Sequence, residues 1–308
     1  MPRIAIESLD DPRVAIYREL KMKRRTGDGE LFIAEGTKLV DRLLASDFST
    51  HSVLISERRE AEWGGKIPSD IPLYVVSQQV GDELVGFKFH VGVLGCGRRK
   101  PQLSLVEVLT NVASLRDGSA KEIQHPIFGK DPHSWTQSLP QATSDWRAVQ
   151  ESNADRTRNR WTIVICPNCD NPENLGAIIR IGAAFGIDAL LLGRGGCDPF
   201  SRRVLRVSMG AALQLPIIQS PSIERDVQTL RNEWNFELFA TVLDDSADPL
   251  LGTTRPHRLG LFLGNEADGL DQKWQRACDR RLTIPMRGGT DSLNVAIAAG
   301  IFLHYFSA

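Results

Sequence analysis

Asn171-Pro172-Glu173-Asn174-Leu175-Gly176 is the first of three loops whose residue types can do chemistry. Pro172 fits the entry to a helix, and Gly176 lets another backbone or a ligand approach closely. Arg180 lies between Ile179 and Ile181, where a guanidinium is stranded unless it pairs with an anion or lines a cleft. The second loop, Gly264-Asn265-Glu266-Ala267-Asp268-Gly269-Leu270, brackets a carboxylate between two glycines. Glu266 can accept hydrogen bonds from a ligand or from backbone N–H groups. The third loop starts at Ile284 and leads into a helix that ends beyond Gly300. Pro285 ends a β-like run there, Gly288-Gly289 turns the chain, and Ser292-Leu293-Asn294 opens a helix of small and apolar residues without charge. Ser and Asn favour helix starts because they cap free N–H groups. Each loop alone also reads as a capped turn with solvated polar groups. Together they outline a backbone-rich pocket at the carboxyl ends of strands, the place where open α/β sheets bind ligands.

The elements that must position these loops are legible from Trp161 onward. Strand-like runs stand at Thr162–Cys166, Ala189–Leu192, Pro216–Ile218, Leu238–Val242, Leu259–Leu263 and Leu282–Ile284. Helix-like runs separate them at 174–185, 200–212, 222–234, 270–278 and 293–306. The alternation predicts a mostly parallel sheet with helices on both faces, an α/β fold. Residues 1–110 read as a separate small α/β unit. It has a helix-like segment at Val14–Arg25, a strand at Leu31–Ala34, a helix at Lys38–Ala45, and β-rich runs at Ser52–Ile55, Leu73–Val76 and Val91–Leu94. Between the two, residues 111–160 hold 14 apolar residues in 50, too few for a core, and are expected to form a polar flexible linker or insertion.

Bulk properties narrow the function classes. The chain has 308 residues, 42% of them apolar and 24% charged, with a net charge of −1. That composition suits a soluble protein with a packed core, and no apolar run approaches the ~20 residues of a membrane span. The N-terminus lacks a secretory signal. The five cysteines are an odd number in a long chain, which speaks against a disulfide framework. A cytoplasmic location is therefore expected. Near-neutral charge leaves room for local basic patches. Two occur: Arg18, Lys21, Lys23, Arg24 and Arg25, and further on Arg194, Arg202, Arg203 and Arg206. By itself each reads first as a solvated helix face.

Other motifs fall short. Gly193-Arg194-Gly195-Gly196-Cys197-Asp198 begins like a dinucleotide fingerprint, but Asp198 takes the third glycine position. That removes a nicotinamide-dependent Rossmann enzyme from consideration. Cys166-Pro167-Asn168-Cys169 lacks a second pair or a nearby histidine, so no metal is expected and a redox dithiol is a minor reading. His304, on the last apolar helix, reads as a core residue rather than a ligand.

The runs NPENLGAIIR, LFLGNEADGL and IPMRGGTDSLNVAIAA, in this order and spacing, resemble the three signature motifs of the SpoU/TrmH-type RNA ribose 2′-O-methyltransferases of the SPOUT superfamily. The intervening SRRVLRVSMGAALQLPI resembles the family's basic and Ser-x-Gly-Ala stretch, so the likeness covers nearly all of 161–308. LFIAEGTKLVDRLL resembles, less specifically, the Phe-x-x-Glu-Gly signature of the ribosomal-protein-L30e-like substrate-binding domain that often precedes this catalytic domain. Asn171 stands where many relatives have Asp, and Ile181-Gly182 replaces a small polar pair.

The resemblance implies S-adenosylmethionine as cofactor, a deep trefoil knot in the C-terminal domain, a homodimer, and methyl transfer to a ribose 2′-hydroxyl of structured RNA, ribosomal in preference to transfer RNA. It places Gly264, Ile284, Met286 and Leu293 at the cofactor, and Asn174, Arg180, Glu266, Ser292 and Asn294 at the functional positions. In that setting Arg202, Arg203 and Arg206, with Arg24 and Arg25, read as contacts to RNA. The alternative is a non-catalytic RNA-binding relative of the same fold, against which the intact Asn174, Arg180, Glu266, Ser292 and Asn294 argue.

Overall fold

The computed structural model describes residues 3–18, 20, 30–116, 160–265, 268–286 and 292–307. The chain forms two compact units. The first comprises Met1–Pro101 together with Asp198–Gln214, and the second comprises Gln102–Cys197 and Leu215–Ala308.

The first unit is built on a five-stranded mixed sheet of β1 (Arg3–Ile6), β2 (Leu31–Glu35), β3 (Thr50–Ser56), β4 (Leu73–Val76) and β5 (Val93–Arg98). Its order is β1-β4-β3-β5-β2, with β1, β4 and β3 parallel and β5 antiparallel to both its neighbours. Helices at Thr37–Ala45 and Gln78–Val85 follow strands; the second is capped by Ser77, whose Oγ accepts from Val80 N at 3.2 Å. A 3-10 turn at Pro12–Tyr17 stands at the start of the helix expected over 14–25. Tyr17 is fully buried yet satisfied, its hydroxyl lying 2.8 Å from Ser52 Oγ and donating to Ser52 O at 3.1 Å. Lys21, Lys23, Arg24 and Arg25 lie outside the described residues.

The late segment Asp198–Gln214 is part of this unit by specific contacts. Arg99 holds Asp198 with two parallel N–H···O bonds of 2.8 and 2.5 Å, the strongest geometry available to such a pair. Phe200 joins Phe32 and Phe48 in a cluster with ring centroids 5.4–5.5 Å apart. Arg202, at the start of a helix spanning Arg202–Val207, lies 3.4 Å from Glu35 and over the Phe87 ring at 4.7 Å.

The second unit carries seven strands: β6 (Trp161–Cys166), β7 (Ala189–Leu192), β8 (Ile217–Gln219), β9 (Glu237–Thr241), β10 (Asp248–Pro249), β11 (Arg258–Phe262) and β12 (Arg280–Thr283). They lie in the order β10-β12-β9-β11-β6-β7-β8, and every strand pairing is parallel. The central strands β6, β7 and β11 are largely apolar, as a sheet covered on both faces requires; β7 is buried at all four positions. Helices at Pro172–Ala184, Ile223–Asn232, Gln272–Ala277 and Val295–Ser307 connect or follow the strands. Where a helix was expected over 200–212, the chain has the Arg202–Val207 helix and a separate 3-10 turn at Ala211–Leu213. Met209 and Gly210 break the run with positive φ of 53° and 82°.

A helix at Leu105–Arg116 spans the boundary expected at 110 and enters the segment read as linker. It buries Leu105, Val108, Leu109 and Val112 in the same core as Trp161, Ile163 and Ile165. Apolar residues at helical spacing carry this signal, and the polar composition of the residues after Arg116 masked it. Residues 117–159 of that segment lie outside the described residues. At the helix end Arg116 bonds Asp188, whose other oxygen accepts from Thr162 N at 2.7 Å. Asp188 is almost wholly buried, and burial pushes its carboxyl above the ordinary value against the pull of Arg116.

Removing one partner of a buried pair leaves the other uncompensated. Asp188→Ala is expected to lower the unfolding free energy by about 2–3 kcal/mol, below the full buried-pair figure because Arg116 keeps some solvent contact. Urea titration followed by tryptophan fluorescence measures it; an unchanged midpoint contradicts the assignment.

Candidate functional site

Because the strands of the second sheet are parallel, their carboxyl ends share one side. A cavity of about 1280 Å³ opens there, lined by the segments after β9, β11 and β12. Its lining sets the apolar Ile284, Met286, Leu293, Val295 and Phe302 beside the polar Asp244, Asp268 and Ser292.

The loop after β11 is shaped by close backbone approach. A Cβ placed on Gly264 would lie 2.3 Å from Gly269 C and 2.4 Å from Leu270 N, so only glycine fits. Asn265 N donates to Gly269 O at 3.0 Å, and Asp268 N donates to Asn265 Oδ1 at 2.7 Å, closing a tight hairpin-like turn at the cavity wall. Gly269 completes it with φ +67°. Glu266 lies outside the described residues.

Asn294 does two jobs. Its Oδ1 accepts from Ala296 N at 2.9 Å and Ile297 N at 3.4 Å, capping the Val295–Ser307 helix. Its Nδ2 donates to Asn174 Oδ1 at 2.9 Å, across 120 residues of sequence. Asn174 is 6% exposed in the first turn of the Pro172–Ala184 helix, which Asn171 caps through bonds to Glu173 N and Asn174 N. Asn174 Nδ2 is buried with no hydrogen-bond partner among the described residues. A buried amide donor left open costs on the order of 1–3 kcal/mol, and such groups mark places where a ligand or water completes the site.

The charges around the cavity are largely paired off. Ser246 N donates to Asp244 at 2.8 Å and Arg281 holds the same carboxyl at 2.8 Å; hydrogen bonding from Ser246 first, and Arg281 beside it, keeps that carboxyl below its ordinary pKa. Arg280 pairs with Asp248 at 2.8 Å. Asp268 and Arg276, both exposed in the lining, have no ion pair among the described residues, so the lining keeps one unpaired side chain of each sign.

Of the residues singled out from the sequence, Gly264, Ile284, Met286, Ser292, Leu293 and Asn294 line the cavity. Asn174 is joined to it through Asn294. Arg180 does not line it. The guanidinium expected among apolar neighbours is exposed: helical steps of ~100° turn it away from the buried Ile179 beside it. His304, expected in the core, is also exposed, edge-on to Phe185 at 5.8 Å. Arg202, Arg203 and Arg206 belong to the first unit, with Arg203 and Arg206 exposed and Arg202 held by Glu35. Residues 241–248, one full wall of the cavity, were not singled out. Their signal is only their position after a buried strand, since they carry no motif. Among the described residues no group of His, Cys, Asp and Glu could hold a metal ion, and no helix is long and apolar enough to cross a membrane.

Gly264→Ala is expected to lower the unfolding free energy by roughly 1–3 kcal/mol, because backbone rather than a pliable side chain blocks the new methyl. Chemical denaturation checks it, and wild-type stability would show that the turn can relax. Asn294→Ser retains a cap and should stay within a few tenths of a kcal/mol of wild type, whereas Asn294→Ala should lose about 1 kcal/mol. Equal losses in both variants would mean that the bond to Asn174, not the cap, carries the stability.

Comparison with known proteins places the chain in a family. Residues 162–304 match the SpoU rRNA Methylase family. An uncharacterised tRNA/rRNA methyltransferase of Mycobacterium bovis is 31% identical over 300 residues, covering 95% of this chain and 87% of that protein. The 23S rRNA (guanosine(2553)-2′-O)-methyltransferase of Bacillus subtilis is 31% identical over 143 residues, 46% of this chain and 56% of the relative. Among solved structures, the AdoMet-bound rRNA methyltransferase of Sinorhizobium meliloti superposes with a TM-score of 0.69 at 23% identity, covering 99% of this chain and 97% of that one. The SpoU methyltransferase AviRb of Streptomyces viridochromogenes with AdoMet gives 0.67 at 16% identity, covering 96% and 98%. At these identities the structures speak to the fold, while the full-length relative speaks to descent: the chain belongs to the SpoU methylase family.

Proposed function

We propose that the chain transfers the methyl group of S-adenosylmethionine to a ribose 2′-hydroxyl of RNA, with ribosomal RNA favoured over transfer RNA. The observation that carries this reading is the Asn174–Asn294 bridge at the edge of a glycine-walled cavity, in a chain of the SpoU family. The curated relative from Bacillus subtilis is named for that reaction on 23S rRNA.

The residues present fit the cofactor. The Gly264 turn is a cradle that a Cβ would fill, Asn174 Nδ2 is an orphaned donor, and Asp268 sets an exposed acidic side chain in the lining. Gly264, Ile284, Met286 and Leu293 would hold the cofactor, whose sulfonium supplies an already activated methyl group. What remains for the chain is to place the acceptor hydroxyl and to let its proton leave. Alignment alone can lower a barrier by several kcal/mol, up to roughly 7–11 in model systems. Asn174, Ser292 and Asn294 offer short, fixed hydrogen-bonding groups for that placement, with Glu266 on the adjoining loop. Arg180 serves as a clamp on an RNA phosphate: guanidinium stays protonated in proteins, and its exposure leaves it open to a polyanion. The proton then passes to a phosphate oxygen or water.

A homodimer is part of this reading. The Val295–Ser307 helix carries no Asp, Glu, Lys or Arg and leaves Ile297 56% and Ile301 38% exposed, an apolar stripe of the kind that a second copy covers. A knotted C-terminal domain, an L30e-like first domain, Arg203, Arg206, Arg24 and Arg25 as RNA contacts, and a cytoplasmic location complete the proposal.

Incubation with tritiated S-adenosylmethionine and total RNA, with mapping of the 2′-O-methylated positions, tests the chemistry. Label on ribose is expected; label only on bases or on protein refutes it. Arg180→Lys is expected to lose turnover at every pH, because lysine lacks the bidentate fork. Residual activity with a shifted pH profile would make position 180 a base instead.

A further inference from the structure

The two motifs left without a role, Gly193-Arg194-Gly195-Gly196 and Cys166-x-x-Cys169, interlock. The first leaves the carboxyl end of β7 and the second the carboxyl end of β6, the strand beside it. A Cβ on Gly193 would lie 2.0 Å from Pro167 O, and one on Gly196 would lie 2.9 Å from Cys169 O. Gly193 N donates to Cys166 O at 3.0 Å, Cys197 N to Cys169 O at 2.8 Å, and Cys197 Sγ to Asp170 O at 2.5 Å. The glycines thus lay one loop flat on the other, and the cysteines act as small buried or half-buried packing groups. None of the five cysteines is in a disulfide.

What this mount presents is Arg194, exposed between two glycines and with no ion pair among the described residues. Glycine at 193 and 196 is demanded by contact, but among the described residues no ion pair asks for arginine at 194. The loop beneath runs through Asp170 to Asn171, which caps the helix of Asn174 and Arg180. With the cofactor pocket filling the ends of β9, β11 and β12, an acceptor strand reaching Asn174 has the ends of β6 and β7 left to cross. Over the interlocked residues 167–171 and 193–197, Arg194 is the lone cation and Asp170 the lone acid.

We propose that Arg194 is a positioning residue for the methyl acceptor: it binds an RNA phosphate flanking the target ribose, at a fixed distance from the Asn174 helix. The proposal rests on the RNA methyltransferase reading above. A phosphate contact is independent of sequence and makes binding salt-dependent by counterion release.

The test uses the full chain, a fluorescein-labelled single-stranded RNA oligomer, and affinity measured from 50 to 200 mM salt. Arg194→Gln is expected to bind roughly fivefold more weakly at low salt and to lower the slope of log affinity against log salt by about 0.7. Arg194→Lys should recover most of both, and S-adenosylmethionine affinity by calorimetry should be unchanged. Arg225→Gln, which removes an exposed charge from the Ile223–Asn232 helix, should leave the slope alone. A wild-type slope in Arg194→Gln, or an equal drop in Arg225→Gln, overturns the proposal while the methyltransferase reading stands. A wild-type protein that binds cofactor but no RNA overturns both.

Discussion

Parallel pairing is the constraint that sets the second unit's arrangement. When every strand points the same way, every connection must return across a face of the sheet, and every functional turn leaves from one end. The segments after β6, β7, β9, β11 and β12 therefore meet although they are scattered from residue 166 to residue 294. Each crossing segment needs an apolar side, and both faces of the sheet are consumed in providing it. The result is a core rich in β-branched and leucine side chains with almost no freedom for polar groups. Chemistry is confined to the rim.

The two ends of the sheet solve the problem of polarity differently. At the amino ends, long cations anchor strand starts: Arg255 donates to Trp161 O and Thr162 Oγ1, Arg258 to Trp234 O, and Arg116 to Asp188. Burial holds the Arg255 guanidinium down to about 10, and its terminal nitrogens are all committed to the fold. At the carboxyl ends short groups, Asn and Ser with glycine, stand among the charges, and they carry an unspent donor at Asn174. Long charged groups fix an end that does not change. Short amides make room for something that comes and goes.

Much of this was readable from the residue order. Apolar runs bounded by Gly, Pro and Asn marked β6, β7, β9, β11 and β12 to within about two residues, because buried parallel strands have no other way to look. The three loops were visible since each breaks such a run with residues that cap or turn. Less visible were features that depend on partners distant in sequence. The meeting of Asn174 with Asn294 is one, the wall at residues 241–248 another. Exposure was misjudged at Arg180 and His304 for a common reason: a run of apolar neighbours says nothing about which side of a helix a residue takes. The Leu105–Arg116 helix was hidden by the polar stretch on its C-terminal side, since an average over fifty residues blends a twelve-residue amphipathic helix into its surroundings.

The loan of Asp198–Gln214 to the first unit has a consequence for how the chain is made. Synthesis proceeds from the N-terminus, and domains ordinarily fold as they emerge. Here the strands β1–β5 leave the ribosome early, while Phe200, which joins Phe32 and Phe48, and Asp198, which anchors Arg99, emerge about a hundred residues later. Until then those aromatic faces and that guanidinium wait uncovered. The first unit is begun first but can be completed only once Gln214 has been made, when the ribosome has passed the middle of the other unit.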